Sequence, residues 1–169
     1  MSTAFTDHCN SLSALSLAQA ALEKAQNIAS EAHLQHQKDI ADAGREESPS
    51  SATITKIVGS QHLAAIANAR IENLKKDLEE AQSTSDAAFK LAIAEAQQNL
   101  GRWVAENYNA EMNRILPNGG NGAQQNAAGV IINQSEKVVA ANQLSISLMG
   151  AKNDEHGAVY LKRAQGYLS

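Results

Sequence analysis

The sequence has 169 residues, one cysteine and a formal net charge of −4, so its length suits one small domain or one extended helical unit. It contains 31 alanines, whereas leucine, isoleucine, valine and phenylalanine together number only 34, so a large globular core is not expected. No segment carries the excess of lysine and arginine that neutralising phosphates requires. This balance argues against sequence-specific nucleic-acid binding.

The first predicted element is an alanine-rich helix within residues 1–47. Helix-favouring residues dominate up to residue 43, and apolar residues recur at steps of three and four. After Leu22 this stripe is mainly alanine, which predicts a close contact with a second helix. Gly44 and Pro49 then predict that the helix ends and the chain turns back.

A long central helix is predicted for residues 48–116. Several of its larger side chains fit a step of eleven residues, which predicts a nearly straight stripe rather than a strict heptad; they are Ile71, Gln82, Ile93, Val104 and Ile115, and Leu78, Phe89 and Leu100 fit the same step. Three sites in the segment predict a bend, a close backbone approach or a break: Gly59, Gly101 and the run Ser83–Ser85.

The C-terminal part is predicted to contain an Asn/Gly loop at residues 117–122 and a third helix at residues 123–149. The alternation of Leu144, Ile146 and Leu148 leaves an extended end as an alternative. Residues 150–169 are predicted to form a flexible tail, or a segment that orders on a partner. The predicted fold class is therefore all-α: elongated antiparallel long helices with a third C-terminal helix and a flexible tail, in an oligomeric helical assembly.

Candidate chemical groups do not form a catalytic arrangement. His33 and His36 share a helical face and would bind a metal only if a third ligand came from elsewhere. The pairs Glu46–Glu47 and Glu79–Glu80 lie in solvated, charged or turn contexts rather than in an apolar pocket. We therefore predict no catalytic residue, no cofactor, no metal site and no enzymatic activity. Cys9 is predicted to be a small apolar residue, either buried or in a frayed helix end, rather than a reactive thiol.

The turn from Leu100 to Tyr108 is the one aromatic-rich part of the central helix, and it contains the single tryptophan. Tryptophan and tyrosine are favoured anchors of protein interfaces, and a helix-interior glycine permits close approach. The predicted subunit interface comprises Leu100, Gly101, Trp103, Val104 and Tyr108. The alternatives are a membrane-interface anchor and packing on the core stripe of the same helix.

The stretch Ala41–Gln82 resembles the smaller internal virion (core or ejection) proteins of short-tailed bacteriophages. In these proteins an Ala/Gln-rich helix is followed by a short Gly/Ser break and a long helix with spaced isoleucine, glutamine and asparagine. The residues here that carry the resemblance are Gly44, Ser48, Ser50, Ser51, Ile54, Ile57, Gln61, Ile66, Asn68 and Ile71.

The resemblance implies a structural protein that packs inside the capsid near the portal and leaves with the genome. It would then help to form a conduit across the host cell envelope. The implied partners are further copies of the chain, other internal virion proteins and the portal. The sequence shows no distinctly apolar terminal segment of the kind that many relatives carry, which argues against stable outer-membrane insertion. Amphipathic helices that line an oligomeric pore with their polar faces inward are the alternative. Two alternatives remain: another helical virion or tail adaptor protein, and a cellular coiled-coil assembly subunit.

Overall fold

A computed structural model describes residues 3–115 and 137–168, with side chains described for residues 3–107 and 137–167. As predicted, the fold is all-α with long helices, and the described residues contain no strand. The helices are α1 (Thr3–Ala43), α2 (Ser51–Ile115), α3 (described over residues 137–149) and α4 (Glu155–Leu168). The predicted loop at 117–122 and the first part of the third helix lie outside the described residues.

The chain divides into two compact units, which we describe separately. Ser11–Thr84 form the hairpin unit, in which α1 and α2 pair. Met1–Asn10 and Ser85–Ser169 form the core unit, which combines the start of α1, the second half of α2, α3 and α4. Both long helices are therefore shared by the two units.

The hairpin unit is held by a heptad seam, because its buried and half-buried positions alternate at steps of four and three. On α1 these positions are Ser11, Leu15, Ala18, Leu22, Ala25, Ala29, Ala32, His36, Asp39 and Ala43. On α2 they are Thr53, Ile57, Ser60, Ala64, Ala67, Ile71, Leu74, Leu78 and Ala81. Three contacts cross the seam: His33 with Asn68, His36 with Ser60, and Asp39 with Lys56. Residue numbers rise along α1 while those of the contacted residues fall along α2, so the two helices run in opposite directions. The predicted antiparallel arrangement is thus confirmed in this unit.

The eleven-residue spacing does not describe the buried face of the hairpin unit. Gln82, which was needed to complete that spacing, is exposed, whereas the heptad positions on either side of it are buried or half-buried. The physical reason is the partner: α1 carries its own heptad stripe, and two such helices supercoil to keep their seams in register. A spacing derived from the sequence of α2 alone takes no account of the heptad stripe on α1.

None of the predicted breaks interrupts α2. The helix runs through Ser83–Ser85, and Ser85 is fully buried. Its hydroxyl accepts a hydrogen bond from Asn153 Nδ2 at 3.0 Å. A Cβ atom at Gly59 or Gly101 would meet nothing within 4 Å, so no other backbone approaches these glycines within the described part of the chain.

The turn between α1 and α2 lies where Gly44 and Pro49 predict it. The amide of Gly44 still donates to Ile40 at 3.0 Å, and the chain then leaves the helix. Ser50 caps α2, because its Oγ accepts a hydrogen bond from the Thr53 amide at 3.2 Å. The Glu46 carboxylate accepts from the Ser50 amide at 3.3 Å, so this acidic residue belongs to the cap.

The core unit has a larger apolar interior. The buried cluster consists of Phe89, Ala92, Ala96, Leu100, Ala141, Leu144, Leu148, Leu161 and Ala164, with Phe5 and Trp103 among the half-buried residues packed against it. Residues 144–148 are helical, which excludes the extended alternative for the end of α3. Among the residues described, no helix has both the length and the apolar character needed to cross a bilayer.

The flexible tail predicted at residues 150–169 is wrong, because Glu155–Leu168 form α4. Leu161 and Ala164 are fully buried in the core unit, and Tyr160 and Tyr167 pack beside them at helical spacing. Asp154 caps the helix by accepting a hydrogen bond from the Gly157 amide at 2.9 Å. The stripe is only two turns long, which is too short to give a clear helical period in the sequence.

Gly157 lies at a point where α4 touches its surroundings too closely for a side chain. A Cβ atom there would overlap the Lys152 carbonyl oxygen and would lie 2.6 Å from Cζ of Phe89. Gly166, in the same helix, has open space at the corresponding position. The first glycine is therefore required by packing, and the second is not.

Candidate assembly surface

The residues of the predicted interface at Leu100–Tyr108 have different surroundings. Leu100 is fully buried in the core unit, Gly101 is exposed, and Trp103 and Val104 are half-buried against the same core. The indole of Trp103 makes an edge contact with Tyr167, with ring centroids 5.0 Å apart and an interplanar angle of 77°. The side chain of Tyr108 lies outside the described residues.

Leu100 therefore packs within its own chain, as the intramolecular alternative for this turn requires. A subunit contact stays a prediction for Gly101 and for the exposed parts of Trp103 and Val104. The contact of Trp103 with α4 could not be predicted from the sequence, because the residues that form α4 were expected to be a flexible tail.

The two histidines considered as a metal pair contact different residues of α2. His33 Nε2 lies 3.2 Å from Asn68 Nδ2, and His36 Nδ1 lies 3.0 Å from the hydroxyl of Ser60. The part of the chain that the structure describes contains no group of three potential metal ligands. Both histidines thus help to hold the hairpin unit together.

A buried carboxylate accompanies these contacts, and sequence reasoning missed it. Asp39 occupies the heptad position between His36 and Ala43 and is 3% exposed. Its Oδ1 accepts hydrogen bonds from Lys56 Nζ at 3.0 Å and from Gln35 Nε2 at 2.8 Å. The hydrogen bond from Lys56 holds the pKa of Asp39 below its ordinary value, so the carboxylate is ionised at neutral pH. A lone Asp on an alanine stripe is the signal that would have revealed it.

One side of the seam is marked by the contact between His33 and Asn68. Ile40 lies one heptad after His33, and Ile54 lies two heptads before Asn68. Residues separated by whole heptads lie on the same side of a paired helix, so both isoleucines are on the side of the His33–Asn68 contact. Val58 follows Ile54 by one helical turn. These aliphatic residues are 50–58% exposed. We call Ile40, Ile54 and Val58 the first flank.

The opposite side is marked by Gln35 and Lys56, which both bind the buried carboxylate described above. Ile28 lies seven residues before Gln35, and Leu63 lies seven residues after Lys56. Ile66 follows Leu63 on the next turn. These residues are 45–62% exposed. We call Ile28, Leu63 and Ile66 the second flank.

The two flanks give the hairpin unit an apolar strip on each side of its seam. The seam itself buries mostly alanine, which removes little apolar surface from water per residue. Apart from Ile57, the isoleucine, leucine and valine side chains in this part of the hairpin therefore lie outside the seam. Apolar residues grouped in this way mark surfaces that contact other molecules.

The core unit contains two open grooves. One, of about 620 Å³, is lined by residues that include Phe89, Ile93, Leu148 and Met149. The other, of about 770 Å³, lies between α3 and α4 and includes Tyr160, Arg163 and Tyr167. The polar lining of the first groove includes Asp86, Lys90 and Lys152.

The chain matches no family model, no curated protein and no solved structure. The distinctive features of the described side chains are the two apolar flanks and the polar contacts that fix one helix pair.

Proposed function

We propose that this protein is a structural subunit of the internal core of a short-tailed phage virion. In this proposal it packs with further copies of itself, with other internal virion proteins and with the portal. It leaves the capsid with the genome and helps to form a conduit across the host cell envelope. The capacity to assemble is supported by the exposed flanks, and the virion setting by the resemblance of Ala41–Gln82 to internal virion proteins.

The single observation that carries the proposal is the apolar surface on both sides of the hairpin seam. Exposing isoleucine and leucine at about half of their surface forgoes roughly 1 kcal/mol per side chain that burial would contribute. Ordering each residue of a helix costs about 1–2 kcal/mol of backbone entropy, which an alanine seam offsets only weakly. Association with other helices supplies the missing burial and so stabilises the folded hairpin.

Weak, repeated contacts suit a protein that must assemble and later move. Each contact between hairpins involves a few side chains, so single contacts form and break readily. At the high local concentration inside a capsid many such contacts act together, and on dilution they are lost. A core that is released with the genome requires this concentration dependence.

The proposal is tested on purified phage particles with an antibody against the chain. Particles are compared before and after genome release is triggered in vitro, with the major capsid protein as the loading control. We expect the chain in filled particles and its loss from emptied capsids. Retention in emptied capsids would favour the tail or adaptor alternative, and absence from filled particles would contradict a virion role.

A further inference from the structure

We propose that the groove between α3 and α4 binds one nucleotide unit, that is, a nucleobase together with its phosphate. The unit is either a free nucleotide or one residue of a single-stranded nucleic acid, because both offer the same chemistry to the groove. The proposal does not depend on the proposed function, since the groove belongs to the core unit and the flanks belong to the hairpin unit.

The groove has the size of a small-molecule site. Its volume is about 770 Å³, and ligand pockets usually measure about 300–1,000 Å³. The wall formed by α4 presents Tyr160, Arg163 and Tyr167, and the wall formed by α3 presents Gln143 and Ser147. Gly166 also lines the groove, and a Cβ atom there would meet nothing within 4 Å, so free space lies beside the second tyrosine.

Two tyrosines present aromatic rings to this groove. Tyr160 and Tyr167 are seven residues apart, so they share one face of α4. Both are half-buried against the core cluster, and Tyr167 is also held by its edge contact with Trp103. The rings are therefore positioned by the core before any ligand binds. Aromatic side chains of this kind stack with nucleobases irrespective of the base.

Arg163 lies between the two tyrosines and supplies the charge of the groove. It is the one charged residue among the described residues that line the groove. Within residues 3–107 and 137–167 its guanidinium group forms no ion pair and no hydrogen bond, so all five N–H donors are available to a ligand. The planar guanidinium matches a phosphate group with two parallel hydrogen bonds, which favours an anionic ligand.

The spacing of these residues suits a base joined to its phosphate. At 1.5 Å per residue, Arg163 lies about 4.5 Å along the helix axis from Tyr160 and about 6 Å from Tyr167. A base stacked on either ring therefore keeps its phosphate near the guanidinium group.

The opposite wall provides polar groups for the edge of the base. The side-chain amide of Gln143 has no hydrogen-bond partner among the described residues, so it offers both a donor and an acceptor. The hydroxyl of Ser147 donates to the Gln143 carbonyl oxygen at 2.9 Å, which leaves its own oxygen as an acceptor. Inorganic phosphate alone would use neither this amide nor the two aromatic rings.

The groove of about 620 Å³ lacks this arrangement. Its described lining mixes Asp86 with Lys90 and Lys152, and it contains neither tyrosine nor tryptophan. An unpaired arginine between two tyrosines is thus a specific feature of the α3–α4 groove. A single phosphate contact implies weak binding that is independent of base sequence, which agrees with the lack of a basic excess in the chain. For a single strand, the logarithm of the affinity should fall with that of the salt concentration with a slope of about −0.7.

The experiment is an NMR titration of the full chain with deoxyadenosine monophosphate, deoxyadenosine, inorganic phosphate and a short single-stranded oligodeoxyadenylate. Arg163→Gln removes the charge, and Gly166→Leu fills the groove. The matched control is Lys162→Gln, because Lys162 is an exposed cation next to Arg163 that is not among the lining residues. Thermal unfolding checks that each variant is folded.

We expect the mononucleotide to shift the ring signals of Tyr160 and Tyr167 and to bind more tightly than deoxyadenosine or phosphate. Arg163→Gln should weaken its binding about tenfold and leave the binding of deoxyadenosine unchanged. Gly166→Leu should abolish both, and Lys162→Gln should bind as the unaltered chain does. Tighter binding of the oligonucleotide would identify single-stranded nucleic acid as the source of the ligand, and equal binding per nucleotide would identify a free nucleotide.

Four results would overturn the proposal. The first is that neither the mononucleotide nor the oligonucleotide binds at millimolar concentration. The second is equal weakening by Lys162→Gln and Arg163→Gln, which would indicate general attraction to a positive surface. The third is phosphate binding as tight as that of the mononucleotide, which would exclude a contribution from the rings. The fourth is unchanged binding by folded Gly166→Leu, which would place the ligand outside the groove.

Discussion

Replacing Gly157 by alanine should destabilise the core unit, although alanine normally favours a helix over glycine. The added Cβ would overlap the Lys152 carbonyl oxygen and would lie 2.6 Å from Cζ of Phe89. The carbonyl is part of the backbone that leads into α4, so it cannot turn away as a long side chain would. Phe89 is itself buried in the core cluster, so it has little room to move.

The magnitude follows from two opposing effects. Overpacking a well-packed site costs about 1–3 kcal/mol. Alanine in place of a helical glycine contributes about 0.5–1 kcal/mol in the other direction. We therefore expect a net loss of about 1–2 kcal/mol in the free energy of unfolding. For a chain of this length each kcal/mol corresponds to about 2–4 °C in Tm.

The matched control is Gly166→Ala in the same helix, where nothing lies within 4 Å of the new Cβ. It should raise the stability by about 0.5–1 kcal/mol. Urea unfolding followed by the fluorescence of Trp103 reports on the core unit, because Trp103 is the only tryptophan and packs in that unit.

The two substitutions should thus change stability in opposite directions. If Gly157→Ala is as stable as the unaltered chain or more stable, the close packing of α4 against Phe89 is wrong. If both substitutions destabilise equally, alanine is unfavourable along α4 for a reason other than crowding.

Three further predictions concern the core unit. Asn153→Ala should cost about 1–3 kcal/mol, because it removes the donor to the buried hydroxyl of Ser85. Burial lowers the pKa of His8 in the folded chain, so as the pH falls the unfolded chain binds a proton at this histidine first, near pH 6.5. Thermal stability should therefore fall as the pH decreases from about 7.5, and His8→Gln should reduce that dependence. If the predicted subunit contact at Trp103 exists, Trp103→Ala should weaken assembly by about 2 kcal/mol or more without lowering the helix content of the residual monomer.

Each of these predictions has its own control. Ser30→Ala removes an exposed hydroxyl that donates to the Gln26 carbonyl within α1, and it should change stability by less than about 0.5 kcal/mol. An unchanged pH profile in His8→Gln would show that other groups cause the dependence. Loss of helix content in both Trp103→Ala and Tyr167→Ala, before any loss of assembly, would assign the indole to the internal pair alone.

The sequence predicts the long elements because their signals are local. The three-four spacing of α1 and the Gly44–Pro49 break locate the first helix and the turn without knowledge of any partner. The eleven-residue spacing holds in the core unit, where Phe89 and Leu100 are both buried, but it fails in the hairpin unit, because the buried face of a helix depends on what packs against it. Here α1 selects the heptad positions, and Gln82 is left in solvent.

The candidate surface was less predictable. Ile40 and Ile54 are far apart in the sequence, and they come to one side only after the hairpin closes in the register that His33 and Asn68 mark. Asp39 looks like a solvated acid until Lys56 and Gln35 are seen to bind it. α4 was missed because a two-turn stripe between glycines resembles a mobile tail.

The sharing of α2 between two units has a consequence for hydrogen exchange. Up to Thr84 the buried residues of α2 are small (Ser60, Ala64 and Ala67) and its larger seam side chains are only half-buried, whereas from Ser85 onward the helix packs through Phe89 and Leu100 into a larger apolar interior. Backbone amides exchange through local opening, and opening is easier where less apolar surface is buried. Amide protection should therefore rise partway along one unbroken helix, near Ser85. The backbone hydrogen bonds of α2 would then be continuous, while the exchange rates of its amides would differ before and after Ser85.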